Sequence, residues 1–174
     1  VIYLKDCRFL VGKAGQARVR SEGKKNVHAG VSGYLAMNAE FCNANYNKDG
    51  DCFVMSAAAS QLGKLMLGLA KDKGLKTICL VRRMDAAEGL KALGATVVLD
   101  VTVPDFDAQF AAASRELKPR VFLDAVTDAI SERVFTMMPN RARWVSYGKL
   151  NPELFSMTQM GQLIFQSKVI EGFW

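Results

Sequence analysis

With 174 residues, half of them apolar and 23% charged, the chain has material for one sizeable globular domain and is short for two. No apolar run approaches the ~18 residues of a membrane-crossing helix, and the opening "VIYLKDCRFLVGK" lacks the regions of a signal peptide. Of the net charge of +6, +5 lies in residues 1–25, where Lys5, Arg8, Lys13, Arg18, Arg20, Lys24 and Lys25 face only Asp6 and Glu22, without an aromatic-rich or groove-reading motif; a solvated basic segment is favoured and no nucleic-acid partner is expected.

Residues 1–30 contain no confident element, and "VSGYLAMNAEFCNANY" (31–46) reads as a helix running into the turn "NKDG". From there strands and helices alternate. "DCFVMS" (51–56) is a short apolar strand, and "SQLGKLMLGLAKDKG" (60–74) sets Leu62, Leu65, Met66, Leu69 and Ala70 at helical spacing before a terminating Gly74. "KTICLV" (76–81) is a strand, "DAAEGLKALGA" (85–95) a short helix and "TVVLD" (96–100) a strand. "PDFDAQFAAASREL" (104–117) opens a helix on proline and is followed by the strand "RVFLDAV" (120–126). The helix 128–138, the strand 142–148, the helix 156–166 and the strand 168–174 complete the pattern. Apolar strands separated by helices predict an α/β fold: a doubly wound, parallel six-stranded sheet with helices on both faces and its crevice at the carboxyl ends of the strands.

The first strand-to-helix turn holds the most chemistry. A Rossmann dinucleotide fingerprint uses three glycines, for the tight turn, for close approach to pyrophosphate and for helix–strand packing. Counting back from Gly63 puts Ala58 in the first position and Ser60 in the second. Alanine fits the turn if its φ stays negative. The serine hydroxyl can cap the helix or reach a phosphate oxygen, and the helix N-terminal amides and dipole remain. The second strand ends in "CLVRRMD", with Arg82 19 residues after Gly63. An acid there would hydrogen-bond the ribose 2′-hydroxyl and repel a 2′-phosphate. Arg82 and Arg83 would pair with that phosphate, which favours NADP over NAD. Asp100 and Asp124 also end strands, where turn bonding accounts for them.

The segments "AAASQLGKLMLGLAKDKGLKTICLVRR", "LKALGATVVLD", "FLDAV", "WVSYG" and "KVIEGFW", in that order, resemble the cofactor domain of medium-chain dehydrogenases/reductases, with the closest likeness to the zinc-free quinone oxidoreductase and enoyl reductase branch. The likeness covers roughly residues 50–174, more loosely from Val31, and departs at Ser60, where many members carry glycine. It implies a pyrophosphate cradle from Ala58, Ala59, Ser60, Gln61, Leu62 and Gly63, and a nicotinamide-side loop containing Tyr147, Gly148 and Leu150. It further implies a homodimer joined through the last strand, Val169 to Trp174. On this basis residues 31–174 form the dinucleotide-binding domain and residues 1–30 a remnant of a missing catalytic domain. The lack of an initial methionine and the end inside "KVIEGFW" also predict a piece of a longer protein.

The activity the resemblance implies is NADPH-dependent hydride transfer to an activated double bond or quinone, on a small-molecule substrate. No catalytic residue is assigned. Tyr147 is read as packing against the cofactor rather than as a proton donor. Alternatives are a zinc-type alcohol dehydrogenase-like protein and a nucleotide-binding module without turnover. Zinc is not expected: Cys7, Cys42, Cys52 and Cys79 form no close pair, and the catalytic cysteine of the zinc enzymes would fall near Gly33, where none stands. The lone His28 lies in a polar stretch and is read as a surface residue. Four unpaired cysteines suit a reducing compartment, most simply the cytosol.

Overall fold

The computed structural model describes residues 52–173. The basic segment, the 31–46 helix and its turn, His28, Cys7, Cys42 and Trp174 lie outside the described residues. In chain order the elements are β1 (Cys52–Met55), α1 (Gln61–Asp72), β2 (Lys76–Val81), a 3₁₀ turn (Met84–Ala86) leading into α2 (Ala87–Ala92), β3 (Val97–Asp100) and α3 (Phe106–Leu117). There follow β4 (Val121–Asp124), α4 (Ala129–Met137), β5 (Arg143–Ser146), α5 (Gly161–Phe165) and β6 (Val169–Gly172). The six strands form one sheet in the order β3-β2-β1-β4-β5-β6, with every neighbouring pair parallel. The described residues therefore begin at the centre of the sheet, wind out to β3, then cross back to build β4 to β6 on the other side. Winding reverses between β1 and β4, which opens a crevice at their carboxyl ends.

Strand periodicity assigns the two faces. Val54, Ile78, Leu80, Leu99, Phe122 and Trp144 form one core cluster with Phe106, Phe110 and Leu117 of α3 and Val134 and Phe135 of α4. Their strand neighbours Phe53, Met55, Cys79, Val98, Leu123 and Val145 are equally buried and point the other way. That second face takes α1 and α2, whose buried residues, among them Met66, Leu67, Ala70 and Leu90, are absent from the first cluster. Trp144 anchors the first face, its ring 6.0 Å from Phe122, 5.5 Å from Phe135 and 5.8 Å from Phe155.

Local chemistry sets the helix ends. Gly74 (φ 66°) and Gly94 (φ 109°) close α1 and α2 in the left-handed conformation that favours glycine. At each end the next amide reaches back, Leu75 N–H to Ala70 O and Ala95 N–H to Leu90 O. One expected helix is shortened: of residues 156–166 only Gly161–Phe165 is helical. The cause is Glu132, buried on α4, which accepts the Thr158 amide (3.0 Å) and hydroxyl (2.7 Å) and so draws that backbone away from a helical path. Among the described residues, no helix is long and apolar enough to cross a membrane.

Candidate cofactor-binding site

The turn between β1 and α1 is built of small residues, and Ala58 keeps the negative φ that the turn requires of alanine. The residue in the left-handed region is Ala57 (φ 49°), one position before Ala58, whose φ is not positive. Ala58 is fully buried, and its amide donates to Leu80 O at 3.2 Å, tying the turn to β2. Ser60 caps α1: its Oγ accepts the Gly63 amide at 3.0 Å, and its carbonyl accepts the Lys64 amide at 3.0 Å. Two first-turn amides, of Gln61 and Leu62, remain beyond any intrahelical acceptor and lie at the positive end of the helix dipole. Gly63 is required for packing. A Cβ there would sit 2.4 Å from Ala58 O and 2.8 Å from Ala58 Cα, so helix and turn are closer than any side chain permits.

A cleft of about 880 Å³ opens over the carboxyl ends of β1, β2, β3 and β4. Ala57, Ala59 and Ser60 line one wall, and Arg82 and Arg83 stand at the end of β2. Apolar contact comes from Val81, Ala86, Val101 and Ile130. The far side is Val126, Asp128 and the Leu150–Glu153 loop. The structure thus brings together Ala59, Ser60, Arg82, Arg83 and Leu150. Ala58 and Gly63 are buried beneath the turn, and Gln61, Leu62, Tyr147 and Gly148 are not among the lining side chains.

Beneath the cleft a buried polar network joins β1, β4 and β5. Asp124, fully buried, accepts hydrogen bonds from Ser56 Oγ (2.6 Å), Trp144 Nε1 (2.9 Å) and the amides of Val126 (2.9 Å) and Thr127 (3.1 Å). Turn bonding therefore accounts for Asp124. Asp100 behaves alike, its carboxylate held below the usual range by the Thr102 hydroxyl and amide. Thr127 sits in the left-handed region (φ 55°), unusual for a β-branched residue, held by its hydroxyl, which donates to Gly148 O (2.8 Å) and is hydrogen-bonded with Ser146 Oγ (2.7 Å). Gly148 itself is crowded, with room for a Cβ only 2.9 Å from Ala125 O. The amides of Leu150 and Asn151 then donate to Ala125 O and Val126 O, which seats the 150–153 loop at the edge of the cleft. The Tyr147 phenol is pushed up to about 12 by burial and by nearby Asp124, making it a weaker acid than a free tyrosine.

Asp128 had no place in the sequence reading. It caps α4 by accepting the Ser131 amide at 2.9 Å, and its Oδ2 lies 3.7 Å from Arg82 Nη2 across the cleft. The available signal was an acid just past a strand end, preceding a helix, which reads as a cap and says nothing of what faces it.

A family model described as zinc-binding dehydrogenase matches residues 62–174, and another, described as Mycobacterium phage L5 gene 82 protein, matches residues 1–64. A mitochondrial enoyl-[acyl-carrier-protein] reductase of Dictyostelium discoideum is 28% identical over 131 residues, 73% of this chain and 37% of that protein. A crystal structure from Mesorhizobium loti, described as an NADPH:quinone reductase, superposes with a TM-score of 0.73 at 42% identity, over 81% of this chain and 40% of that one. An enoyl thioester reductase from Candida tropicalis (TM-score 0.63, 22% identity, 78% of this chain and 40% of that one) shares the fold. The chain thus spans well under half the length of these relatives. The described residues do not fit the zinc of the family's description: among them no group of three or more His, Cys, Asp or Glu is placed to hold a metal ion. The match from α1 through β6 takes in well over half of the sequence, and by it the chain belongs to the zinc-binding dehydrogenase family of the medium-chain dehydrogenase/reductase superfamily.

Proposed function

We propose that this chain is the cofactor domain of an NADPH-dependent reductase that delivers hydride to an activated carbon–carbon double bond or a quinone. The observation that carries the reading is the cleft at the sheet's switch point, which sets a helix start with two open amides opposite a pair of arginines. The Gln61 and Leu62 amides and the positive end of α1 would hold the pyrophosphate. Ser60, whose oxygen already accepts the Gly63 amide, keeps its hydroxyl proton to donate to a phosphate oxygen. Arg82 and Arg83 would take the 2′-phosphate, and Val101 and Ile130 offer apolar surface to the adenine ring. Gly148 and Tyr147 would act from below, fixing the loop that borders the nicotinamide end. When bound, the coenzyme supplies the hydride; the residues that protonate the product are not assigned in this chain. The similarity to reductases of enoyl thioesters and quinones supports that acceptor class.

Calorimetric titration of the chain with NADPH and NADH tests the reading. NADPH should bind more tightly by at least roughly tenfold, the order of one charge-assisted contact, and Arg82→Asp should abolish the margin. Binding of neither coenzyme, or a preference for NADH, would overturn it. The alternative reading is a nucleotide-binding module without turnover, inactive even within a longer protein that contains this chain. It predicts the same titration but no NADPH consumption with quinone or enoyl thioester. Cys52 and Cys79, both free and buried, fit a reducing compartment, the cytosol in our reading.

A further inference from the structure

The positive charge that faces the cleft is already engaged by carboxylates of this chain. Arg82 Nη2 lies 3.7 Å from Asp128 Oδ2, and Arg83 Nη2 lies 3.6 Å from Asp85 Oδ2. The two pairs are not equivalent. Arg83 and Asp85 are 83% and 66% exposed, so water screens them and their coupling is slight. The Asp128 side chain is only 9% exposed and is anchored through Oδ1 by the Ser131 amide (2.9 Å) and hydroxyl (3.2 Å), which leaves Oδ2 turned toward Arg82. The pair also bridges the crevice, from the end of β2 to the start of α4.

A carboxylate in that position has two opposed effects on a phosphorylated ligand. It helps to order the Arg82 side chain, but a single contact at 3.7 Å on a residue still 66% exposed orders it little. It also occupies the guanidinium and repels an incoming phosphate, which carries between one and two negative charges near neutral pH. The second effect outweighs the first, because the repulsion acts on the whole phosphate charge from a site water scarcely reaches. We infer that Asp128 determines coenzyme selectivity in this cleft by competing with the 2′-phosphate for the Arg82 guanidinium, so that the phosphorylated coenzyme binds by exchanging one anion for another. The inference rests on the NADPH reading above.

Asp128→Asn tests it on the intact chain. Asparagine keeps the oxygen that caps α4, so the helix start is preserved, while the amide nitrogen no longer attracts Arg82. NADPH should bind roughly three- to tenfold more tightly, in the range of one partly buried ion pair, and NADH should change by less than about twofold. In an Arg82→Ala background the same substitution should improve NADPH binding by less than about twofold, since the competition has lost its object. Equal gains for both coenzymes, no gain, or an undiminished gain without Arg82 would overturn the inference while leaving the NADPH reading intact. A wild-type chain that binds neither coenzyme, or prefers NADH, would overturn both.

Discussion

Gly63 does the work of packing and Ser60 the work of capping, two roles that the glycine fingerprint merges into one motif. With 2.4 Å between Ala58 O and the place of a Gly63 Cβ, the neighbour that must yield is backbone, which cannot rotate away. Gly63→Ala should therefore destabilise the chain by about 2–3 kcal/mol or more, as overpacking does, seen as a lower urea midpoint at unchanged slope; a variant as stable as the parent would refute the close packing. The need for glycine at this position was legible from its spacing after β1. The strain was not: the fingerprint asks that Ala58 keep a negative φ, which it does, and says nothing of its neighbour Ala57, which takes the left-handed conformation where the Ala58 amide turns to Leu80 O. Asp128 shows the same limit for the site. Its cap was readable from local sequence, and its position opposite Arg82 arises only when the sheet brings the ends of β2 and β4 to one crevice.

At the scale of elements, the six strands were legible because apolar runs bounded by Gly74, Gly94 and polar turns admit little else, whereas the join between α4 and β6 was not. In sequence Lys168 is the first residue of the expected strand 168–174, with no role assigned. In the structure it is 3% exposed, with Nζ donating to Phe135 O (2.8 Å), Thr136 O (2.9 Å) and Gln162 Oε1 (2.7 Å), and it stands 5.2 Å from the centre of the Phe135 ring. It thereby satisfies the last carbonyls of α4 and clamps them to the start of β6. Burial pulls its ammonium down to about 8 from 10.5. Between those values the unfolded chain holds a proton that the folded chain has released, so this group's contribution to stability rises with pH across the window and is flat below it. Lys168→Met should cost about 1–3 kcal/mol at pH 7 through the Thr136 carbonyl left without a donor, the Phe135 carbonyl keeping the Met138 amide. The gap between parent and variant should then widen by at most about 1.4 kcal/mol per pH unit above pH 8. Urea melts at pH 7, 9 and 10 measure it, and a gap independent of pH would show that the amine stays charged in the fold.

For the molecule as a whole, the unfinished edge is β6. Among the described residues it closes one side of the sheet, pairs with β5, and leaves Val169 43% and Ile170 39% exposed, next to Ile164 and Phe165 of α5 at 75% and 85%. An apolar strand at the margin of a sheet is a template for another strand, and we propose that a second copy of the chain pairs there, β6 against β6 about a two-fold axis. The ladder shows how to test this without damage to the fold. Val169 and Phe173 donate their amides to Ala142 O and Ser146 O of the β5 side, so strand alternation turns the Ile170 amide outward, away from β5. Ile170→Pro removes that outward donor and should spare the inner ladder, since proline is tolerated where a strand's N–H faces open edge. Sedimentation velocity should find the parent chain as a dimer and the proline variant as a monomer, with coenzyme titration unchanged because the cleft lies at β1 to β4. A monomeric parent would overturn the proposal, and a dimer that survives the proline would place the contact elsewhere on the surface.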